Sequence, residues 1–341
     1  MVTQKDVAKS IGITSSTVSR FINNKGYLSD ELRQKIKKAI KELDYKPNLI
    51  ARSLKNKSSN TIGLIFPDIE NEFFISLIKK AEETAFKNGY NIILCNTNDS
   101  QEEEELYLEI LKGKLIDGYI LITSFKVKKY LEKIIGNLKV VFLDRSLKFK
   151  NEVFIKLNNI EGAFKATDYL LSQGHRKIGF LSHISGMGIT EKNKEVMPSH
   201  ERYLGYKKAL DSYNINIDKS LIRYCESNQI SGYEKSKELF TQKNKPTAIL
   251  TSNNKITFGV LKALKELRLE IPDQVSVIGF DELSASEFLN PPLTTIAQPA
   301  YEFGRIGIEL LIKKIKNQEI ENKTIILEPE LIIRESVKKL D

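Results

Sequence analysis

The sequence predicts an N-terminal all-α head carrying a helix-turn-helix, joined to an α/β core of two doubly wound parallel-sheet subdomains. The head is predicted by a strongly basic first sixth of the chain, in which short apolar-periodic stretches are separated by polar breaks. The core is predicted by the chain from residue 61 onward, where short apolar runs alternate with amphipathic stretches, the rhythm of a parallel sheet covered by helices on both faces. That rhythm restarts after VFIKL, so the core divides into two similar halves with a cleft between them.

Within the head, Val7, Ala8, Ile11, Ile13, Val18 and Phe21 are spaced as two short helices with facing apolar sides, one ending near Gly12 and the next beginning at Thr14 or Ser15. Ala8 is small enough for close approach, and Gly12 can take the positive φ of a sharp turn. With Val18 and Phe21 or Ile22 turned inward, Ser15, Ser16, Ser19, Arg20 and Asn23 fall outward, a set of short donors and acceptors plus one forked cation. Such groups suit base edges in a major groove. A third helix is expected from Ser29 as N-cap through DELRQKIKKAIKEL, with Leu32, Ile36, Ala39, Ile40 and Leu43 on one face. Pro47 then stops the chain, Asn48 can cap a further short helix, and Ile50, Ala51 and Leu54 share a face. So short a helix is not stable alone in water, and it is expected to order only on DNA and against its copy in a dimer.

In the core, the runs TIGLIF, NIILCN, GYILIT and VVFLD read as strands, with helical stretches such as ISLIKKAEETAFKNG and EEEELYLEILKG between them. The second half repeats the pattern through KIGFL, LIRYC, AILTS and VSVIGF. Polar residues stand directly after several strands. Asp144 follows VVFL, Asn253 and Asn254 follow AILTS, Asp281 follows VSVIGF, and Arg202 opens the helix leading to Gly205. Carboxylates, an amide and a guanidinium in one cleft, with Phe73 or Phe74 as an apolar platform, suit sugar hydroxyls and a C–H ring face. Each could instead simply cap a helix or turn, the expectation for Asn254.

Composition bounds the function. At 341 residues and 41% hydrophobic the chain has room for two or three packed units, and 28% charged residues exclude a collagen-like or membrane class. No run approaches the ~18 apolar residues of a spanning helix, and MVTQKDVAKS lacks a signal-peptide core, so a cytoplasmic protein with no membrane partner is expected. Cys95 and Cys225 lie in strand-like runs, as buried reduced thiols would. Residues 1–60 hold 13 Lys+Arg against 5 Asp+Glu, a net +8 out of +9 for the whole chain. A basic head on a nearly neutral body is the footprint of a polyanion-binding module.

The chain resembles the lactose repressor (LacI)/GalR family of bacterial transcription regulators over nearly its whole length. The resemblance is carried by KDVAKSIGITSSTVSRFINN in the head and YKPNLIARSLK in the linker. The body adds IGLIFPDIENEFF, IDGYILI, VVFLDRS, QGHRKIGFL, ERYLGYKKAL, VSVIGFDE and PPLTTIAQP, in family order. It implies a DNA-binding domain over 1–46, a hinge helix and linker over 47–60, and a periplasmic-binding-protein-like effector-binding and dimerisation core over 61–341. The implied subdomains are about 61–160 with 291–322, and about 161–290 with 323–341.

The resemblance also implies that Ser15, Ser16, Thr17, Ser19, Arg20 and Asn23 face operator DNA, with Asn48, Ala51 and Leu54 in the hinge and Leu54 wedged into the minor groove of a palindromic site. Phe73, Phe74, Asp144, Arg202, Asn253 and Asp281 become effector contacts for a carbohydrate or sugar phosphate in a homodimer. Asn254 departs from the family pattern, which has aspartate there, and SHISGMGITEKNKEVMPSHER is longer than the usual loop before the arginine. Its Gly186, Met187 and Gly188 lack the Lys-Ser/Thr that a phosphate loop needs, and a loop at the cleft rim is expected.

Rival functions are a regulator of the catabolite-control type with a protein corepressor, a transport binding protein, and a carbohydrate-active enzyme using Asp144 and Asp281. The basic head and missing export signal oppose the transporter. With His175, His183 and His200 as its only histidines and no GxSxG, HExxH or GxxxxGK[ST], the sequence predicts neither catalysis nor a cofactor or metal.

Overall fold

The computed structural model describes residues 2–22, 26–45, 58–114, 116–124, 128–145, 152–183 and 197–340. Asn23, Asn48, Ala51, Leu54 and the 184–196 loop therefore lie outside the described residues. The chain divides into two compact units, Met1–Asn60 and Thr61–Asp341.

The first unit contains α1 (Gln4–Ser10), α2 (Ser15–Ile22) and α3 (Asp30–Glu42). Thr3 starts α1 with a reciprocal cap, accepting from the Asp6 amide while its own N–H donates to the Asp6 carboxylate at 2.8 Å. Gly12 makes the turn at φ +67°, a conformation that glycine enters without strain. Ser29 caps α3 as the sequence indicates. Val7, Ala8, Val18, Ile36, Ala39 and Tyr45 form the core, with Phe21, Ile22 and Leu32 packed against it.

The second unit holds two six-stranded sheets. The first runs β11-β5-β4-β3-β1-β2, all parallel, where β1 is Thr61–Phe66, β2 Asn91–Asn96, β3 Gly118–Leu121, β4 Val140–Leu143, β5 Val153–Leu157 and β11 Thr324–Leu327. The second runs β12-β10-β9-β8-β6-β7, where β6 is Ile178–His183, β7 Ile222–Cys225, β8 Ala248–Thr251, β9 Ser276–Phe280, β10 Thr294–Ala297 and β12 Glu330–Ile332. Only the short β12 runs antiparallel there.

Helices cover both faces of each sheet. Around the first are α4 (Glu72–Lys87), α5 (Gln101–Gly113), α6 (Lys128–Ile135) and α11 (Ala300–Ile315). Around the second are α7 (Asn159–Ser172), α8 (Pro198–Ser212), α9 (Gln229–Thr241) and α10 (Asn254–Glu266). The two-residue period of a strand is visible in β3, where Ile120 packs with Leu77 and Leu311 in one core while Tyr119 and Leu121 pack with Leu108 and Leu131 in the other. Helix pairs meet closely at glycine. A methyl on Gly205 of α8 would strike the Ile160 carbonyl of α7, and one on Gly304 of α11 would strike that of Leu77 in α4. Cys95 and Cys225 are both free and buried, and burial pushes their thiols up to about 11 and about 12.

The chain passes between the two lobes after β5, after β10 and after β11. The crossings expected near 291 and 322 are thus corrected. Thr294–Ala297 pairs in parallel with β9 and completes the second sheet before the chain leaves, and Thr324–Leu327 pairs with β5 before it returns. The runs TTIA and TIIL are both four residues long with three β-branched side chains each, so local pattern does not say which sheet edge each will join.

Candidate ligand cleft and DNA-facing helix

Strand ends from both sheets build the cleft. Asp144 and Asp281 continue β4 and β9, their amides still donating to Ile155 and Ile296 carbonyls at 2.8 and 3.0 Å. Both then turn into the left-handed region, at φ +61° and +76°. Aspartate is among the few side chains that tolerate this, and such positions concentrate where a site needs a side chain re-aimed.

A cavity of about 370 Å³ lies between the lobes, and Phe73, Phe74, Asp144, Arg202, Asn253 and Asp281 all line it. The structure therefore brings together all six residues expected to meet the effector. Phe73 and Phe74 pack edge to face, centroids 5.1 Å apart, and Phe73 meets Phe303 the same way at 5.5 Å. Arg202 is buried, its Nε donating to Asn159 Oδ1 at 2.9 Å and its Nη1 to the Ser252 carbonyl. The guanidinium carbon sits 3.7 Å from the Phe280 ring centroid. Burial lowers the Arg202 pKa, opposed by the negative charges of Asp281, Asp144 and Glu201.

Asp144 presents a shielded Oδ1 with no hydrogen-bond partner, and burial pushes its carboxyl upward against the pull of Arg202 and Arg145. Asp281 accepts from the Asn254 amide at 3.3 Å and from Gln298 Nε2 at 2.5 Å, which leaves Gln298 Oε1 buried and unpartnered.

Asn253, which lines the cavity, and its neighbour Asn254 do different work at the start of α10. Asn253 caps α10, its Oδ1 accepting from the Ile256 amide at 2.9 Å while its Nδ2 donates to Ser227 at 2.8 Å. Asn254, expected merely to cap, reaches across the cleft and donates from Nδ2 to Asn71 Oδ1 at 3.0 Å. Sequence reasoning also passed over Arg145, Gln298, Asn71 and Lys255, which line the same cavity. Arg145 and Gln298 had a signal, each standing at the end of a strand motif, in VVFLDRS and TTIAQP.

Behind the wall, Glu104 of α5 is fully buried and accepts from Thr123 Oγ1 at 2.8 Å and the Ser124 amide at 2.5 Å. Burial pushes its carboxyl up to about 7 from an ordinary 4.5, outweighing those bonds and Arg145. Between these values the folded state holds more protons than the unfolded one, so this group's contribution to stability falls as pH rises through the window. Glu104→Gln keeps one acceptor for Ser124 and offers a donor to Thr123. The variant is expected to melt above wild type at pH 8, by up to about 3 kcal/mol, with the gap closing near pH 4. A constant gap across that range in calorimetry would contradict it.

In the first unit, Ser15, Ser16 and Arg20 are exposed on α2 while Val18 is fully buried beneath them. Thr17 and Ser19 are half-buried, and the Thr14 hydroxyl contacts those of Ser16 and Thr17 at 2.7 and 2.9 Å. The described face thus presents hydroxyls and one guanidinium, as a groove-reading helix does. Among the described residues no side-chain group could hold a metal, and no helix is long and apolar enough to cross a membrane.

A helix-turn-helix unit joined to a two-lobed ligand clamp defines the class of ligand-responsive transcription regulators. The model of the bacterial regulatory proteins of the lacI family matches residues 3–48, and that of the periplasmic binding protein-like domain matches residues 167–337. The chain is 35% identical over 334 residues to the HTH-type transcriptional regulator RegA of Clostridium saccharobutylicum, covering 97% of this chain and 98% of that one. It is 36% identical to the ribose operon repressor of Halalkalibacterium halodurans, over 99% and 98%. The crystal structure of the lac repressor dimer bound to operator and the anti-inducer ONPF shares its fold, with a TM-score of 0.86 at 24% identity over 99% of each chain. A LacI-family regulator of Enterococcus faecium with bound ribose gives 0.72 at 29%, over 82% of this chain and all of that one.

The chain belongs to the lacI family. It is a sequence-specific DNA-binding transcriptional regulator and not an enzyme.

Proposed function

We propose that this regulator represses carbohydrate-utilisation genes from a palindromic operator, as a homodimer, and that an uncharged sugar in the cleft controls its hold on DNA. One observation carries the choice of ligand: the cavity offers unsatisfied acceptors, and its described lining holds five carboxylates against the three cations Arg145, Arg202 and Lys255. Asp144 Oδ1 and Gln298 Oε1 wait for donors. Arg145 is paired with Asp99, Lys255 with Asp68 and Glu70, and Arg202 is flanked by carboxylates. Sugar hydroxyls supply donors, whereas a phosphate would bring further negative charge to a wall already rich in it. The ribose operon repressor and the ribose-bound Enterococcus faecium regulator support a small neutral aldose.

A dimer is supported by apolar residues exposed along the sheet edges. Leu94 lies on edge strand β2 with Leu106 and Ile110 on α5, and Tyr224 on edge strand β7 with Ile230 on α9.

For the sugar to release operator tenfold more readily it must favour the DNA-incompetent state by about 1.4 kcal/mol. A thermal-shift panel of D-ribose, other neutral aldoses and their phosphates tests the ligand class. At a hundredfold excess over Kd a bound sugar stabilises the core by about 2.7 kcal/mol. A rise in Tm confined to phosphorylated sugars would overturn this choice.

A further inference from the structure

We infer that Lys255 is a positioning residue that latches the cleft shut, so that closure, and through it ligand retention, depends on ionic strength even for an uncharged ligand. Lys255 stands in the first turn of α10, in the second lobe, and its Nζ lies 2.7 Å from Asp68 and 3.0 Å from Glu70 in the turn after β1, in the first lobe. A cation at this place opposes the helix dipole, and the first turn of α10 holds no acidic residue to offset it. A local rule broken with a cross-lobe partner in reach marks a functional placement.

Two other bonds join the same turn to the second lobe. Asn254 Nδ2 donates to Asn71 Oδ1 at 3.0 Å, and the Ser284 amide donates to Glu72 Oε2 at 2.7 Å. Residues 68–72 are thus tied at three points to α10 and the 284 turn, and Lys255 supplies the only charge pair among these ties. The Lys255 side chain is 23% exposed and Asp68 27%, dry enough for the pair to hold and wet enough for salt to screen it. The neutral bonds beside it are far less sensitive to salt. Closing the lobes therefore carries an electrostatic component that belongs to the protein and not to what it binds.

The test uses the full chain without ligand, carrying one spin label on each lobe, and reads the inter-lobe distance distribution. Raising salt from about 0.01 M to about 1 M shortens the screening length from about 30 Å to about 3 Å. In wild type the closed-to-open ratio is expected to fall about two- to fivefold across that range. Lys255→Met is expected to start at the lower ratio and show no salt response. Lys255→Glu opens the cleft further at low salt, and adding Asp68→Lys to it restores closure. Equal ratios and equal salt responses in wild type and Lys255→Met, both folded by circular dichroism, would overturn the latch. This measurement needs no sugar, so it is decided separately from the ligand class on which the retention claim rests. The second arm measures D-ribose release by stopped flow, which Lys255→Met accelerates; unchanged release beside altered closure would limit the latch to the empty state and overturn its role in retention.

Discussion

Asp281→Ala is expected to abolish the response of operator binding to sugar while leaving the operator affinity of the sugar-free protein unchanged. Asp281 holds the Gln298 amide and the Asn254 N–H together, and its charge supports the buried Arg202. Without it, Gln298 loses the bond that fixes its side chain at the cavity wall, and Arg202 loses a counter-charge. A hydrogen bond to a charged group contributes about 1.5–3 kcal/mol, so losing one from a sugar hydroxyl to this carboxylate weakens sugar binding by roughly tenfold or more. Asp281→Asn retains an acceptor without charge and should fall between. Operator retention titrated with sugar measures all three proteins, and a wild-type response from the alanine variant sinks the assignment.

Arg20→Ala is expected to weaken binding to the specific operator by about 1–3 kcal/mol while scarcely changing affinity for unrelated DNA. Arg20 is exposed in the last turn of α2, and Val18 anchors that helix from the other side, so the truncation removes a reading group without touching the core. Competition assays with operator and random duplex separate the cases. Equal loss on both would mean that Arg20 meets only phosphate. A sequence preference altered at one half-site position would identify the base it contacts.

Much of this architecture was legible in the sequence because its signals are local. The turn at Gly12, the cap at Ser29 and the alternation of apolar runs each depend on a few neighbouring residues. The strand-end aspartates were legible for the same reason, since the end of a parallel strand is where an α/β sheet presents its side chains. What escaped depends on distant partners. Whether TTIA joins one sheet or the other is decided by β9 and β5, and nothing in those four residues records it. Asn253 and Asn254 differ by one position at a helix start, and only the location of Asn71 across the cleft makes the second of them the bridge. Lys255 looks like any surface lysine until the turn at Asp68 is placed opposite.

The interleaved crossings have a consequence for how this molecule can be cut. The first sheet needs a strand from residues 324–327 and a covering helix from 300–315, while the second needs a strand from 294–297 that precedes both. No contiguous fragment contains one whole lobe and nothing of the other. A gene truncated between the lobes encodes an incomplete sheet with an unpaired edge, prone to aggregate, and not a working half. Single nicks leave the lobes threaded together through the remaining passages. The sensor is therefore made, and degraded, as one piece.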